Sequence, residues 1–495
     1  MASRPTVVLI PSWGSGHFMS ALEAGKRLLA TSGGAFSLTV LVMHAPTQAK
    51  ASEVEGHVRR EAASGLDIRF LQLPAVDHPT DCVDPVEFAS RYTQLHGPHV
   101  KAAIASLAPS FRAAAVVVDL FLTALFDVAH ELAVPAYVYF ASPAAFLALM
   151  LRLPALREDL TGPGFEEMEG TVDVPGLPPV PPSYMPDCLV RRKIQSYDWF
   201  EYHGRRFMEA RGLIVNTTVE LEASVLAAIA DGRCVPGCPV PALHAIGPVI
   251  WFDPKDDDQR RHECMRWLDD QPPASVVFLC FGSMGSLDAA QVREVAAGLE
   301  RSGHRFLWVL RGPPVAGTRF PTDANLDELL PEGFLEATAG RGLVWPAWAP
   351  QREILSHAAV GGFVTHCGWN SVLESLWFGV PLVPWPLYGE QHLNAFELVA
   401  GVGVAVALEM DRKKGFFVEA AELERAVRSL MDGGSEEGRK ARTKASETSA
   451  EFRRAVGEGG SSCAALQRLV GEILDLPDEG HLFFKTSSLR NWQQR

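Results

Sequence analysis

The run from Phe363 to Ser371, Phe-Val-Thr-His-Cys-Gly-Trp-Asn-Ser, constrains this chain more than any other stretch. The Gly361-Gly362 pair reads as turn-like, and residues 363–365 read as a short apolar strand. Residues 372–378 read as a helix, so the polar and small residues between them form a tight strand-to-helix turn. The first N–H groups of a helix lack internal partners, and the helix dipole favours negative charge there. A strand that feeds a helix through a glycine turn is therefore a site for an anion, above all a phosphate. Asn370 and Ser371 are expected as N-cap and first-turn residues that add side-chain donors, with His366 at the strand end adding a ring N–H.

The surrounding residues, from Trp348 to Gln391, narrow the ligand. Trp348 offers a flat face for a base. Glu374, one turn into the helix, can accept hydrogen bonds from ribose hydroxyls. Glu390-Gln391 sets an anionic acceptor beside an amide, a pair suited to a ring of sugar hydroxyls. Base, ribose, phosphates and sugar together describe a nucleotide sugar.

With those residues in these places, the block resembles the signature box of the plant UDP-sugar glycosyltransferases, the PSPG box of the inverting family 1 enzymes. The resemblance runs from the His17 segment to about residue 474. It implies an α/β fold of two Rossmann-like, doubly wound domains facing a cleft, the arrangement called GT-B. It further implies a UDP-sugar site built from Ser283, Trp348, Ala349, Gln351, His366, Gly368, Trp369, Asn370, Ser371, Glu374, Glu390 and Gln391. In that family a glutamine at the last box position goes with glucose, so UDP-glucose is the expected donor and UDP-galactose the alternative.

The 495 residues are too many for one ordinary core, and 47 % apolar content fits a fully globular, two-domain chain. A net charge of −14 argues against nucleic acid or an anionic membrane as partner. The N-terminal apolar run is only residues 7–10 before Pro11, which is no signal peptide. The stretch 113–125 is broken by Asp119 and too short to span a bilayer. The eight cysteines are scattered, unlike a secreted disulfide framework, and Cys234 and Cys238 lack a downstream pair that would make a zinc site. A cytoplasmic monomer is expected.

Along the chain, apolar β-rich runs alternate with amphipathic ones, as parallel βαβ units do. Strands are expected at 6–10, 36–43, 67–71, 114–118, 136–140 and 212–216, with helices at 19–30 and 124–132. Residues 152–196 are proline-rich and should lie over a surface rather than in a sheet. After a boundary near Gly247-Pro248 and the acidic run 253–258, strands restart at 275–281, 305–311 and 342–345, with a helix at 288–302. Residues 313–330 read as an irregular exposed loop, and 433–446 as charged and solvated. The domains are expected at 1–248 for the acceptor and 249–460 for the UDP-sugar. The resemblance implies that a helix at 461–475 crosses back to the first domain. The tail 476–495 extends beyond where such enzymes usually end.

His17, in Gly14-Ser15-Gly16-His17 after the first strand, is the candidate general base. A neutral imidazole can take a proton at neutral pH, and it needs an orienting anion on its other nitrogen. Asp119, at the end of another parallel strand, is that candidate; its alternative reading is an N-cap. The family keeps a His and an Asp at these places. Ser283, in the turn after residues 275–281, would meet the β-phosphate. Gly14-Ser15-Gly16 lacks the third glycine of a dinucleotide fingerprint, and no Gly-x-Ser-x-Gly elbow surrounds Ser283. No metal and no cofactor is expected. The product is then an inverted O-glycoside, with C-glycosylation an alternative on the same scaffold.

Phe18, Phe121, Phe140, Trp199 and Tyr388 are candidates for an apolar, aromatic acceptor pocket. The N-terminal segment and residues 117–140 resemble the branch that glucosylates flavonoids and simple phenols, which implies a phenolic acceptor. Met19-Ser20 departs from the many relatives with a proline after the histidine, which bears on acceptor specificity. The whole reading requires that residue 17 and the helix opening at 370 lie across one gap.

Overall fold

The computed structural model describes residues 4–82, 85–108, 110–159, 164–165, 168–190, 195–252, 263–315, 320–410 and 415–475. The first sheet contains β1 (Arg4–Ile10), β2 (Ser37–Val42), β3 (Ile68–Gln72), β4 (Phe111–Asp119), β5 (Ala136–Phe140), β6 (Gly212–Val215) and β7 (Ala242–Ala245). After these come β8 (Val276–Cys280), β9 (Arg305–Val309), β10 (Arg311–Pro314), β11 (Pro321–Asp323), β12 (Gly342–Trp345), β13 (Val360–Thr365) and β14 (Leu382–Pro384). The sheet orders are β3-β2-β1-β4-β5-β6-β7 and β12-β9-β8-β13-β14, while β10 and β11 form a separate hairpin. Pairing within both large sheets is parallel throughout. Such strands are covered on both faces, which is why β5 and β8 are apolar and buried at every position instead of alternating.

In each sheet the strand order reverses beside its first strand, between β1 and β4 and again between β8 and β13. Loops leaving the carboxyl ends there diverge to opposite sides and open a crevice. His17 follows β1 and Asp119 ends β4; Gly282-Ser283 follow β8, and His366 to Trp369 follow β13. Both groups of candidate residues thus sit at topological switch points.

One apolar cluster fills the first sheet's surroundings, and two others cover the two faces of the second. The helix Ser461–Leu474 comes last in the described chain, yet it buries Leu466, Leu469 and Ile473 in the first cluster. Each such side chain contributes about 1.5–3 kcal/mol when fully buried. Ser462 adds a hydrogen bond from its hydroxyl to the Gly247 carbonyl at 2.6 Å.

Several local expectations change. The helix expected at 19–30 begins at Ser15, so His17 lies in its first turn. β7 and β14 are further strands, too short to show a period. Segment 313–330 is not an irregular loop: β10 and β11 pair antiparallel, and a short helix Leu326–Leu329 follows. The Arg311 guanidinium donates to the carbonyls of Pro321 and Thr322 and closes that hairpin, whose prolines conceal it from propensity. Segment 433–446 is largely helical, within Glu436–Val456, which is capped by the Ser435 hydroxyl. Its buried stripe is Gly438, Ala441 and Ala445, small residues outweighed in the sequence by the charges between them. The described residues of 152–196 stay out of the two large sheets, but Phe165, Val172, Val180 and Met185 are fully buried in the first core. The acidic run 253–258 and the tail 476–495 lie outside the described residues.

Candidate active site

The helix Ser15–Thr31 starts after Gly14, whose extended backbone ends the turn from β1. The Gly14 carbonyl accepts from the N–H groups of His17 at 2.9 Å and Phe18 at 2.7 Å, which sets the His17 ring over the end of β4. His17 Nδ1 lies 2.8 Å from Asp119 Oδ2; the carboxylate is fully buried and the imidazole 34 % exposed. Asp119 Oδ1 also accepts from the Phe121 N–H at 3.2 Å, so the aspartate organises its own turn and the imidazole together. Burial pushes the His17 pKa down. The charge of Asp119 and its hydrogen bond, with a contribution from Glu390, outweigh that and hold it above the ordinary histidine value.

On the opposite wall, β13 ends at Thr365, and Cys367 adopts a left-handed φ of 63° to turn the chain into the helix Trp369–Trp377. The N-cap is Gly368, with no side-chain cap, so Asn370 is not the N-cap, while Asn370 and Ser371 both lie in the first turn as expected. Ser371 instead accepts from Gln351 Nε2 at 2.9 Å, and the same amide donates to Glu374 at 2.7 Å. Burial raises the Glu374 pKa against that hydrogen bond and the Arg352 charge. His366 is buried between two glycines: a Cβ on Gly282 or Gly368 would come within 2.6 or 2.5 Å of its ring. Burial lowers the His366 pKa to about 4, so near neutral pH its ring is neutral. Gly282 has φ +74°, a conformation that favours glycine, and Ser283 is exposed beside it.

Trp348 is 59 % exposed, its carbonyl held by Trp345 Nε1 at 2.9 Å, and Ala349 is buried next to it. Gln391 Oε1 accepts from the N–H groups of Leu387 and Tyr388 at 2.9 and 3.0 Å, which fixes the loop before it. Glu390 accepts from Ser142 at 3.2 Å, a contact between the two halves. Two more bonds join those halves. Trp369 Nε1 donates to the Asn216 carbonyl at 2.7 Å, and Asn370 Nδ2 donates to the Gly16 carbonyl at 2.9 Å. The helix mouth and the turn carrying His17 therefore adjoin.

The aromatic candidates divide. The Phe121 ring is 6.1 Å from His17, and Tyr388 is exposed with its ring 6.4 Å from His366. Trp199 packs on Tyr202 and His203, and His203 in turn packs on Phe121. Phe18 and Phe140 are core residues, fully buried, the latter against Phe146 and Phe207, so they do not line a pocket. Sequence reasoning passed over Trp13, just before the His17 turn, which meets the buried Tyr92 edge-on at 5.3 Å, while Tyr92 stacks on Phe88 at 5.5 Å. The four-residue spacing of Phe88 and Tyr92 on the helix Pro85–Ala105 was a readable signal. His203 was also missed: Ser90 and Thr123 hydroxyls hold its two ring nitrogens at 2.9 and 2.8 Å. Among the described residues no helix is long and apolar enough to cross a membrane, and no group of three or more His, Cys, Asp and Glu is gathered to hold a metal.

Residues 233–437 match the family model described as UDP-glucoronosyl and UDP-glucosyl transferase. A malvidin galactosylase, UGT88C3, of Oryza sativa subsp. japonica is 62 % identical over 95 % of this chain and 98 % of its own. An anthocyanidin 5,3-O-glucosyltransferase of a Rosa hybrid cultivar is 40 % identical, covering 94 % of this chain and 98 % of its own. Among solved structures, Phytolacca americana UGT2 complexed with UDP-2fluoro-glucose and pterostilbene superposes with a TM-score of 0.83 at 36 % identity, over 95 % of this chain and 99 % of that one.

Proposed function

The chain belongs to the UDP-glycosyltransferase family, and from that premise we propose that it transfers a hexose from a UDP-sugar to a hydroxyl of a phenolic small molecule, a flavonoid, with inversion at the anomeric carbon. The observation that carries this reading is the His17–Asp119 pair adjoining the opening of helix Trp369–Trp377 through the Asn370–Gly16 bond. In it, His17 Nε2 takes the proton of the acceptor hydroxyl as the oxygen attacks the anomeric carbon. The bond from that carbon to the diphosphate oxygen breaks on the far side. Asp119, hydrogen-bonded to Nδ1, holds the ring in the tautomer that leaves the Nε2 lone pair available and stabilises the imidazolium that forms.

The leaving diphosphate gains negative charge, and preorganised dipoles oppose it: the first N–H groups of helix Trp369–Trp377, Ser283, and the neutral ring of His366. Uracil stacks on the exposed Trp348 face, Glu374 and Gln351 take the ribose, and Glu390 with Gln391 grip the hexose. No resident metal is needed for these steps. Phe121 and Tyr388 offer faces for a flat phenolic next to His17 and His366.

The Gln391 pattern supports glucose as the sugar. Galactose is a second reading, favoured by the 62 % identical relative named a galactosylase. The malvidin and anthocyanidin in the relatives' names support an anthocyanidin-type acceptor. The test is competition of UDP-glucose and UDP-galactose over a panel of flavonoids, with products read by mass and acid stability. Glucosides that hydrolyse in acid are expected; galactosides would overturn the donor assignment, and acid-stable products the O-linkage. His17→Ala should lose nearly all transfer while still binding UDP, and near-normal turnover would reject the base.

A further inference from the structure

The helix that carries His17 starts without a side-chain cap, at Gly14. An uncapped first turn is prone to fray. Beyond the apolar packing of its inner face, through Phe18, Leu22 and Leu28, the first turn of this helix is held by the His17–Asp119 and Asn370–Gly16 bonds, and a small roll there moves an imidazole nitrogen far from a reacting atom. Ser20 lies one turn on, on the same face. Its Oγ is 2.6 Å from the Tyr139 hydroxyl and accepts from Asn216 Nδ2 at 3.4 Å. Ser20, Tyr139 and Asn216 are all more than nine-tenths buried, so water does not compete for these bonds.

Tyr139 stands opposite Asp119 in the β4–β5 register. Two side-by-side strand ends therefore grip the first turns of the helix, one at His17 and one at Ser20. Asn216 follows β6 directly. Its Oδ1 accepts from the Val249 N–H at 2.7 Å, and its main-chain carbonyl receives the indole N–H of Trp369 at 2.7 Å. Ser20 thus joins the end of β5, the segment between the two halves, and the first residue of the donor-side helix. A proline at this place would offer no hydroxyl to any of them.

We propose that Ser20, held by Tyr139 and Asn216, is a positioning residue for His17. It fixes the roll of the helix so that Nε2 is aimed at the acceptor hydroxyl, while Trp369 ties the donor-side helix to the same frame. The inference rests on His17 being the base. No proton passes through Ser20, since burial keeps the Tyr139 hydroxyl neutral, its pKa raised far above that of an ordinary tyrosine.

Tyr139→Phe and Ser20→Ala each remove one hydroxyl and little else, and they are to be measured beside His17→Ala. Both should lower kcat about five- to tenfold with KM for the UDP-sugar within about twofold. The acid limb of kcat should move to lower pH, because the ring spends less time on Asp119, and ¹³C histidine NMR should report the same fall for His17. The double variant should lose no more than Ser20→Ala alone, which already breaks the bond to Tyr139. Native kcat in both variants, or a loss of kcat with the acid limb unmoved, overturns the proposal; the latter result is what a merely structural bond would give. Near-native turnover in His17→Ala would instead sink the base assignment, so the two failures are distinguishable.

Discussion

Replacing Asp119 with asparagine changes one atom, yet it should invert the tautomer of His17. Asp119 Oδ2 faces Nδ1 at 2.8 Å, and Oδ1 accepts from the Phe121 N–H at 3.2 Å. A carboxylate only accepts, so Nδ1 carries the hydrogen and Nε2 keeps its lone pair. In Asp119→Asn the carbonyl oxygen stays with the Phe121 N–H, because the alternative sets two donors together. The amide then donates to Nδ1, the ring hydrogen moves to Nε2, and the nitrogen facing the acceptor can no longer take a proton. The bond lost is charge-assisted, worth about 1.5–3 kcal/mol, and at about 1.4 kcal/mol per decade this predicts a kcat loss of roughly 10- to 150-fold. The pH profile gives a second reading. In the native protein the Asp119 charge and hydrogen bond outweigh burial and hold His17 above its ordinary pKa of 6.5, so activity rises with pH through that raised value. Without the charge, burial acts nearly unopposed, and the residual limb must move to lower pH. The assay is kcat at saturating UDP-sugar and acceptor from about pH 5.5 to 9, with UDP affinity measured alongside to show that the donor site is intact. Turnover within about threefold of native, or an acid limb that stays in place, would refute the reasoning.

Three other perturbations test separate parts of the molecule. Glu222 accepts from the N–H groups of Ala144 and Ala145 at 2.9 and 2.7 Å and is hydrogen-bonded to Glu397, both carboxyls being buried. Burial first, then the charge of Glu222 and the hydrogen bond to it, push the Glu397 pKa well above 4.5. The native state thus binds more protons than the unfolded chain above that value, and stability falls as pH rises through the window. Glu397→Gln, which needs no proton, should melt above the native protein at pH 8 with a gap that narrows toward pH 5; parallel melting curves would show that the pair holds no proton. Gly282→Ala should cost about 1–2 kcal/mol for its left-handed φ and drive a Cβ into the His366 ring, weakening UDP about tenfold by calorimetry. Unchanged affinity would remove His366 from the diphosphate site. Trp369→Phe strands the buried Asn216 carbonyl, a loss of about 1–3 kcal/mol readable in urea unfolding, and no loss would mean that the two halves are not tied there.

Which features could be read from the chain follows from their range. The strand–turn–helix around His366 is local, and its glycines and apolar runs are consecutive in the chain, so the β13 side of the second sheet's switch point could be read directly. The His17–Asp119 contact spans 102 positions, yet it too was legible, because parallel βαβ order sends the ends of β1 and β4 to the same edge. Asn370 shows the limit. Its type suits an N-cap, and propensity alone assigned it there, but the turn at Cys367 and Gly368 is held by Thr365 Oγ1 and Asn394 Nδ2, which leaves the Asn370 amide for the Gly16 carbonyl 354 positions away. The aromatics failed in a related way. Phe18 and Phe140 have the side chains a phenolic would prefer, but in a doubly wound sheet both faces are buried, so an aromatic in a strand or on a helix's inner face goes to the core by default. Phe121 escapes because it lies just past a strand end, in a loop. The same rule locates Trp13, which follows β1, and Ser142, which follows β5, but not Phe88, Tyr92 or His203, which lie within helices. In a fold of this class, a place just beyond a strand's last residue is a better guide to standing at the crevice than side-chain chemistry.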